Sequence, residues 1–456
     1  MIFQRRVTLA ASAMLACTFC AGRAASAQAP APPVVTAPAV SDPMLAPPPP
    51  APAELHSWDE ALGMLRRSPD FLTSVAAVER AAAQRRIALA AVLPVLYAQG
   101  SYVHNFNTVT VPFGTVTLVE PPATVWQGYA IAQWNAISPR ALYGVGTADL
   151  AIDVASLSLA DRRRVLAGSV VSSVLATLAA ARVAELDRVG LRSALERLVL
   201  TQTRLQFAKG TELDVDRAQQ DVAQARALLI DGDERLRQAR ESLGQTLGST
   251  TPVAADASLD LQGFDRAVSA TCHVNTDVER RADVAAARER VAITERQIED
   301  ARLMFAPTLS LSSQGGYASA VTLGPLWTWT LAATITVPVY DGGVRYGAMR
   351  DARASAEQAR DALASLRIAA LIEVARANRA IDVDTARLEV SKQRRDLAAS
   401  VDARVREGYA RGIGTSLDLV TSAQALRQAD IELVLAEFDL AQAHADAVLV
   451  NAECVY

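Results

Sequence analysis

Histidine and cysteine are the side chains best suited to metal binding or nucleophilic chemistry, and their spacing here favours neither. A zinc site of the HExxH type needs two histidines one helical turn apart, and no pair in this chain has that spacing. The sequence also contains no nucleophile elbow or phosphate-binding loop, and its CxxC pair lies within residues 1–27. The histidines are His56, His104, His273 and His444. We therefore expect no enzyme activity, no cofactor and no metal site.

Carboxylates stand out instead in two similar turns in distant parts of the chain. Residues 207–220 read FAKGTELDVDRAQQ, and residues 409–424 read YARGIGTSLDLVTSAQ. Each turn places Asp three residues after Thr, which is the spacing of a capping box with Asp in the usual Glu position. An aspartate near a helix N-terminus is also stabilised by the helix dipole. The capping pairs are Thr211 with Asp214 and Thr415 with Asp418.

The glycines of these turns predict where each preceding helix ends. Gly210 and Gly412 are expected to take the left-handed conformation that terminates a helix. Aligned on these glycines, the second turn has two more residues and a further glycine, Gly414, whereas the first has a further carboxylate, Asp216. If one turn moves, we expect it to be the longer one.

The turns belong to a larger internal duplication, which indicates two similar halves. AVLPVLYAQGSY (91–102) is echoed by FAPTLSLSSQGGY (305–317), and the segment 126–144 by 327–347. Several segments are rich in good helix formers, and the two longest, 145–208 and 343–408, contain no proline. They predict very long helices over 145–208 and 343–408, return helices over 212–247 and 416–449, and entry helices over 57–91 and 276–304. Thr276 or Asp277 is expected to cap the last of these.

Four segments alternate between apolar and polar residues, as strands do. A half-buried soluble sheet explains such alternation, and so does a membrane barrel with an apolar outer face and aromatic girdles. The barrel is favoured because four of the five tryptophans lie in these segments: Trp126, Trp134, Trp327 and Trp329. Four strands cannot close a barrel, and open edges are not tolerated in lipid. Several copies must therefore share one barrel, and this argument does not choose between two, three and four.

The N-terminal segments, the net charge and the remaining cysteines give further expectations. Residues 1–27 have the basic, apolar and small-residue regions of a signal peptide, although Cys17 follows a weak lipoprotein-like box. The proline-rich segment 28–53 predicts a disordered linker, and no transmembrane helix is expected. A net charge of −4 argues against nucleic-acid binding. Cys272 and Cys454 are either bridged or free thiols.

The ordered set of strands, long helices and Gly-Leu-Asp turns resembles the outer-membrane efflux protein family, the TolC-like channel-tunnels, over residues 55–450. Pro94 and Pro307 stand at the entries into the strands, as in that family. The resemblance implies a mainly α fold with a small β part, in which a homotrimer builds one outer-membrane barrel and one helical tunnel in the periplasm. It also implies a first repeat (54–248), an equatorial linker (249–275), a second repeat (276–450) and a tail (451–456). Cys272 and Cys454 would then share the equatorial region.

The resemblance also implies roles for the turns, at the periplasmic tip where the tunnel closes. An Asp at the position of Asp418 lines the closed aperture in that family, and Asp214 and Asp216 would add further carboxylates; rings of carboxylates select cations. Tyr409 matches a latching Tyr, whereas the family's latching Arg falls on Gly414. We expect Arg406 or Arg411 to substitute, or a different latch.

The function implied is the exit duct of a tripartite efflux system that exports small molecules. A periplasmic adaptor, an inner-membrane pump and outer-membrane lipid would be its partners. Two alternatives stay open: the exit duct of a type I protein secretion system, and a soluble periplasmic coiled-coil adaptor or scaffold.

Overall fold

The computed structural model describes residues 40–120, 123–256, 261–275, 277–319 and 325–456. The expected signal peptide with Cys17, residues 28–39 of the expected linker, and Thr276 lie outside these ranges. The fold is mainly α with a small β part, as predicted. Pro94 and Pro307 directly precede two of the long strands.

The helices follow the duplicated plan, with one unexpected break. The entry helix predicted over 57–91 is two helices, α1 (Trp58–Leu65) and α2 (Pro69–Ala90). Pro69 at the start of α2 lacks an N–H and pushes Ser68 into an extended conformation, which ends α1. The Ser68 hydroxyl then accepts a hydrogen bond from the Phe71 amide and caps α2.

Two helical hairpins form the bulk of the fold. The first is α3 (Pro139–Gln206) followed by α4 (Glu212–Thr246), and the second is α7 (Val344–Ala410) followed by α8 (Ser416–Leu449). The N-caps of α4 and α8, Thr211 and Thr415, are 204 residues apart (415 − 211). The ends of α3 and α7 keep the same offset, so the two hairpins match residue for residue.

Two expectations about the helices need correction. α3 contains an 18-residue stretch apolar enough to cross a membrane, which we did not expect, and half of that stretch is buried inside the protein. Asp277 caps a short 3-10 turn, Val278–Arg280, rather than α6, which spans Ala282–Leu303. The buried Arg281 precedes α6 and is held by Asp283 at 2.9 Å and by Glu373 at 2.7 Å.

The predicted strands form one antiparallel sheet in the order β2-β5-β8-β9. Its strands are β2 (Val95–Asn105), β5 (Ala123–Ile137), β8 (Thr308–Ser319) and β9 (Pro325–Thr336). Large apolar side chains on this sheet are exposed, including Leu96, Tyr102, Leu331 and Ile335. Within the described part of the chain, β2 and β9 are each paired on one side only.

A further hairpin lies between β2 and β5 and was not predicted. β3 (Val109–Phe113) pairs with β4 (Val116–Glu120) across a turn in which Gly114 has φ +61°. The pattern of this segment offers little reason to expect a hairpin, because Pro112 interrupts the apolar alternation and prolines are depleted from strands. The segment also has no echo in the second repeat.

The equatorial region combines short strands from distant parts of the chain. β1 (Ala53–Leu55) pairs in parallel with β6 (Val253–Ala255), and β7 (Cys272–Val274) pairs with β10 (Ala452–Cys454) beside α5 (Leu261–Thr271). Cys272 and Cys454 form a disulfide. The Tyr456 hydroxyl donates to the Arg163 carbonyl at 2.6 Å, which fastens the C-terminal residues to α3. These elements enclose a buried cluster built largely from α1 and the Leu166–Leu178 stretch of α3.

Candidate functional site

The first hairpin tip is a three-residue turn, 208–210, closed by a capping box. The Thr211 hydroxyl accepts a hydrogen bond from the Asp214 amide at 3.3 Å. The Asp214 carboxylate accepts in return from the Thr211 amide at 3.0 Å. As the sequence predicted, the capping box satisfies two of the free amides at the start of α4, those of Thr211 and Asp214.

The second tip repeats this arrangement. The Thr415 hydroxyl accepts from the Asp418 amide at 3.2 Å, and the Asp418 carboxylate accepts from the Thr415 amide at 3.2 Å. The Thr415 hydroxyl also donates to the Asp418 carboxylate at 2.7 Å, and this hydrogen bond, followed by the one from the Thr415 amide, lowers the pKa of Asp418. The side chains of Asp418 and of Asp216 in the first tip are exposed.

The two turns have the same length, contrary to the expectation of two additional residues in the second. Counted back from the capping threonines, the first turn is 208–210 and the second is 412–414. Matching hydrogen bonds close them: the Lys209 amide donates to the Arg204 carbonyl, and the Ile413 amide to the Gly408 carbonyl. The similarity of FAKG to YARG therefore misaligns the tips, and Phe207 matches Arg411 rather than Tyr409.

The left-handed residue also differs from the prediction in the first tip. Gly412 has φ +82°, as expected, but the matching position in the first tip is Ala208 with φ +54°. Gly210 instead matches Gly414. A Cβ on Gly414 would be crowded by the Tyr409 amide nitrogen at 3.2 Å, whereas one on Gly210 would meet the Arg204 Cβ at 3.4 Å, close to an ordinary contact.

Arg204 links the two tips, and sequence reasoning missed it. Its guanidinium lies over the Tyr409 ring, with Cζ 4.2 Å from the centroid, and also donates to the Tyr409 carbonyl. Tyr409 is 4% exposed, and this burial raises its pKa. The expected candidates are engaged elsewhere, since Arg406 pairs with Asp402 at 2.6 Å and Arg411 pairs with Glu407.

Asp214 makes a second link between the tips. Its carboxylate accepts a hydrogen bond from the hydroxyl of the buried Ser416, which is the first residue of α8. Arg217 donates to the same hydroxyl at 3.4 Å. The hydrogen bond from Ser416 is the main cause that lowers the pKa of Asp214. Asp214 is thus both a cap of its own helix and a contact of the other hairpin.

Buried carboxylates support these links between two and three helical turns from the tips. Asp221 accepts from Arg197 Nε at 3.1 Å and, across the hairpins, from Gln424 at 3.0 Å. Asp402 accepts from Ser422 at 3.1 Å within the second hairpin. Neither carboxylate was predicted from the sequence, although a polar residue on the apolar face of a long helix is a usable signal.

At the other end of the fold the predicted tryptophans lie on the sheet, and most have aromatic or polar neighbours. Tyr102 packs against Trp126 with ring centroids 4.7 Å apart, and Tyr317 packs against Trp327 at 5.2 Å. The indole N–H of Trp134 donates to the Val92 carbonyl at 3.0 Å, and that of Trp329 to the Ser313 hydroxyl at 3.0 Å. All four indoles are exposed.

No group of three metal-ligating side chains occurs among the described residues. The tips present charged side chains and hydrogen-bonding groups.

Comparisons with known proteins fit this geometry. Residues 275–446 match the family model described as outer membrane efflux protein. The chain is 25% identical over 313 residues to the pyoverdine export outer membrane protein OpmQ of Pseudomonas putida, covering 67% of this chain and 65% of that protein. It is also 25% identical over 262 residues to the alkaline protease secretion protein AprF of Pseudomonas aeruginosa, covering 56% and 54%. The matches thus span between about half and two thirds of these relatives.

The fold is similar to that of a solved outer-membrane channel. The crystal structure of the Campylobacter jejuni CmeC outer membrane channel superposes with a TM-score of 0.74. Sequence identity is 14%, and the superposition covers 86% of this chain and 84% of that one.

Proposed function

Because the chain belongs to the outer membrane efflux protein family, we propose that it is a trimeric channel-tunnel that carries small molecules out through the periplasm and outer membrane. The observation that carries this proposal is the four-stranded sheet with apolar, tryptophan-bearing exposed faces. Such a sheet is incomplete in lipid, because its outer strands leave backbone groups unpaired.

Three copies would supply twelve antiparallel strands, an even number large enough to close a barrel around water. The helices give independent support for assembly. On α7, Val383, Val390 and Leu397 are exposed and recur every seven residues, which is the spacing of a coiled-coil seam. Neighbouring copies would cover this seam and complete the tunnel wall.

The hairpin tips are proposed to form the gate. Arg204 on Tyr409 and Ser416 on Asp214 would hold the second hairpin against the first and keep the aperture narrow. Opening would break these two links while the capping boxes stay intact, because each box lies within a single hairpin. Exposed carboxylates, Asp418 and Asp216, would appear three times each around the opening and attract cations.

The proposal is tested with purified full-length protein in detergent and in planar bilayers. We expect a trimer by native mass spectrometry and ion conductance with a preference for cations. Asp418→Asn removes one ring of charges and should weaken that preference, whereas Asp231→Asn, an exposed carboxylate within α4, should leave it unchanged. A chain that stays soluble and monomeric without detergent would refute the channel, and unchanged selectivity in Asp418→Asn would leave that residue a helix cap only.

A second cargo class has an observation in its favour. One relative is named for protease secretion and the other for pyoverdine export. The same conduit therefore suits a type I protein secretion system, with a different adaptor and pump. Identification of adaptor and pump proteins that co-purify with the crosslinked channel would distinguish the two. The third candidate, a soluble scaffold, is disfavoured because it needs neither the sheet nor two hairpins.

A further inference from the structure

Part of the proline-rich N-terminal segment is ordered, contrary to expectation. Asp42 begins a 3-10 turn, Pro43–Leu45, and its carboxylate accepts a hydrogen bond from the Met44 amide at 2.9 Å. Arg226 of α4 donates to the other carboxylate oxygen at 2.7 Å. The Asp42 side chain is only 6% exposed, so this ion pair is screened less than an open surface pair.

The turn also carries two apolar side chains onto the first hairpin. Met44 and Leu45 pack against a buried cluster formed by α3 and α4. Burial of apolar side chains is favourable in proportion to the area removed from water, so this contact adds to the ion pair. The cluster consists of Leu191, Ala194, Val222, Ala225 and Leu229.

A second attachment lies further along α4. Arg240 donates a hydrogen bond to the Pro49 carbonyl at 3.1 Å. The chain from Asp42 to Pro49 reaches about 18 Å, because its 3-10 turn rises about 2 Å per residue and only the residues after the turn extend by about 3.1 Å each. The fourteen helical residues from Arg226 to Arg240 rise about 21 Å. The two attachment points are therefore separated by similar distances on the segment and on α4, and the fixed φ angles of Pro47–Pro50 reduce the entropy lost on docking.

The second hairpin lacks the features that hold this segment. At the offset of 204 residues, Leu191 corresponds to Arg395 and Arg226 corresponds to Asp430. These two residues pair with each other at 3.0 Å. A carboxylate docked there would meet Asp430 and be repelled, and the apolar contact of Leu191 is replaced by a charge. The difference gives a physical reason why the segment selects the first hairpin.

We propose that residues 42–50 are a strap, and that the α3–α4 groove is an intramolecular recognition surface for their Asp-Pro-Met-Leu turn and following prolines. The bound strap covers the apolar cluster and stiffens the first hairpin, and the second hairpin is left without such a brace. The inference rests on contacts within one chain and does not require the channel function.

The test is hydrogen–deuterium exchange of the full-length protein, read separately for α4 and α8. Leu45→Asp places a charge in the apolar contact and should speed exchange of amides 222–229 by roughly tenfold, because the local opening becomes easier. Exchange in the matching stretch of α8, 426–433, should not change. Ala46→Asp is the matched control, since it adds the same charge at a neighbouring residue outside the apolar contact.

A charge exchange tests the ion pair without relying on one variant. Arg226→Glu should speed α4 exchange, and the double variant Asp42→Arg with Arg226→Glu should restore it. Equal exchange in Leu45→Asp and Ala46→Asp, or a double variant no better protected than Arg226→Glu, would overturn the strap.

Discussion

The two hairpin tips have turns of the same length and closing hydrogen bonds, yet the contacts between them have no internal symmetry. Arg204 of the first tip corresponds to Gly408 of the second, and Tyr409 corresponds to Leu205. The Arg204–Tyr409 contact therefore has no mirrored copy between Gly408 and Leu205. After duplication, the backbone of the turn was retained by its capping box, while the residues between the tips became two different surfaces.

The difference indicates which tip is built to move. Three glycines, Gly408, Gly412 and Gly414, lie in the second tip, whereas the first has Gly210 alone. The first tip supplies the arginine and, through the proposed strap, belongs to the braced hairpin. We still expect the second tip to move, but its glycines and its lack of a brace replace loop length as the reason.

The largest expected effect on the open fraction comes from removing the contact between Arg204 and Tyr409. Arg204→Ala deletes the contact with the Tyr409 ring and the hydrogen bond to its carbonyl, which together are worth about 2 kcal/mol. A shift of that size changes the closed-to-open ratio roughly 30-fold. Single-channel recording in planar bilayers should show a much larger open fraction.

The matched control is Arg411→Ala, which removes the same charge from the second tip. Arg411 is exposed and pairs within its own hairpin, with Glu407. An equal open fraction in the two variants would mean that Arg204 acts through net charge alone, and the comparison between the tips would lose its basis.

The left-handed residues provide a smaller and more local test. Ala208→Gly should stabilise the first tip by about 1 kcal/mol, because a Cβ is unfavourable at positive φ. Gly412→Ala should destabilise the second tip by a similar amount for the same reason. Hydrogen exchange of the turn amides should slow in the first variant and quicken in the second.

Gly408→Ala separates conformational strain from the general effect of the substitution. Gly408 lies inside α7, and a Cβ added there would have no neighbouring atom within 4 Å. Alanine should therefore stabilise the helix by about 0.5–1 kcal/mol. If Gly408→Ala and Gly412→Ala change exchange in the same direction, the assignment of Gly412 as the strained position is wrong.

These tips also mark the limit of what the sequence predicts. The capping boxes were predictable because they depend on residues three apart, and the long helices because composition dominates over sixty residues. The register of the two turns was not predictable in this way. Aligning the similar sequences FAKG and YARG gives the wrong equivalence, and only counting back from the capping threonines gives the right one. Arg204 and Tyr409 are 205 residues apart, and local patterns carry no information about such a contact.

The same reasoning explains the other differences. The break at Ser68 and the β3–β4 hairpin both involve prolines, whose effect on a pattern can be judged only when the neighbouring structure is known. The sequence identified Cys272 and Cys454 as the two cysteines that could form a disulfide. Whether they are bonded or free could not be predicted, because it depends on the pairing of the two distant strands that carry them. The strap was missed because proline-rich composition alone is typical of disorder.

The smallest expected effect concerns the second link. Ser416→Ala removes one hydrogen bond to Asp214, worth about 1 kcal/mol, and should raise the open fraction only several-fold. In the closed state the hydrogen bond from Ser416 lowers the pKa of Asp214 further than the capping box alone, and the box stays intact on opening. The ionised carboxylate therefore stabilises closure at neutral pH, and this contribution is lost as pH falls through the lowered pKa of the closed state. The wild-type open fraction should therefore stay constant from about pH 7 to about pH 5 and rise below about pH 4.

In Ser416→Ala the pKa of Asp214 should return toward its ordinary value, which shrinks the acid-dependent rise. Ser391→Ala is the control, because it removes a hydroxyl from α7 far from the tips. An acid-dependent rise of equal size in Ser416→Ala and in the wild type would show that other carboxylates cause it. Asp418 is not one of them, since its own depressed pKa comes from a capping box that stays intact on opening. A smaller rise in Ser416→Ala would distinguish the two equivalent aspartates by function, one as a contact between hairpins and the other as a charge facing water.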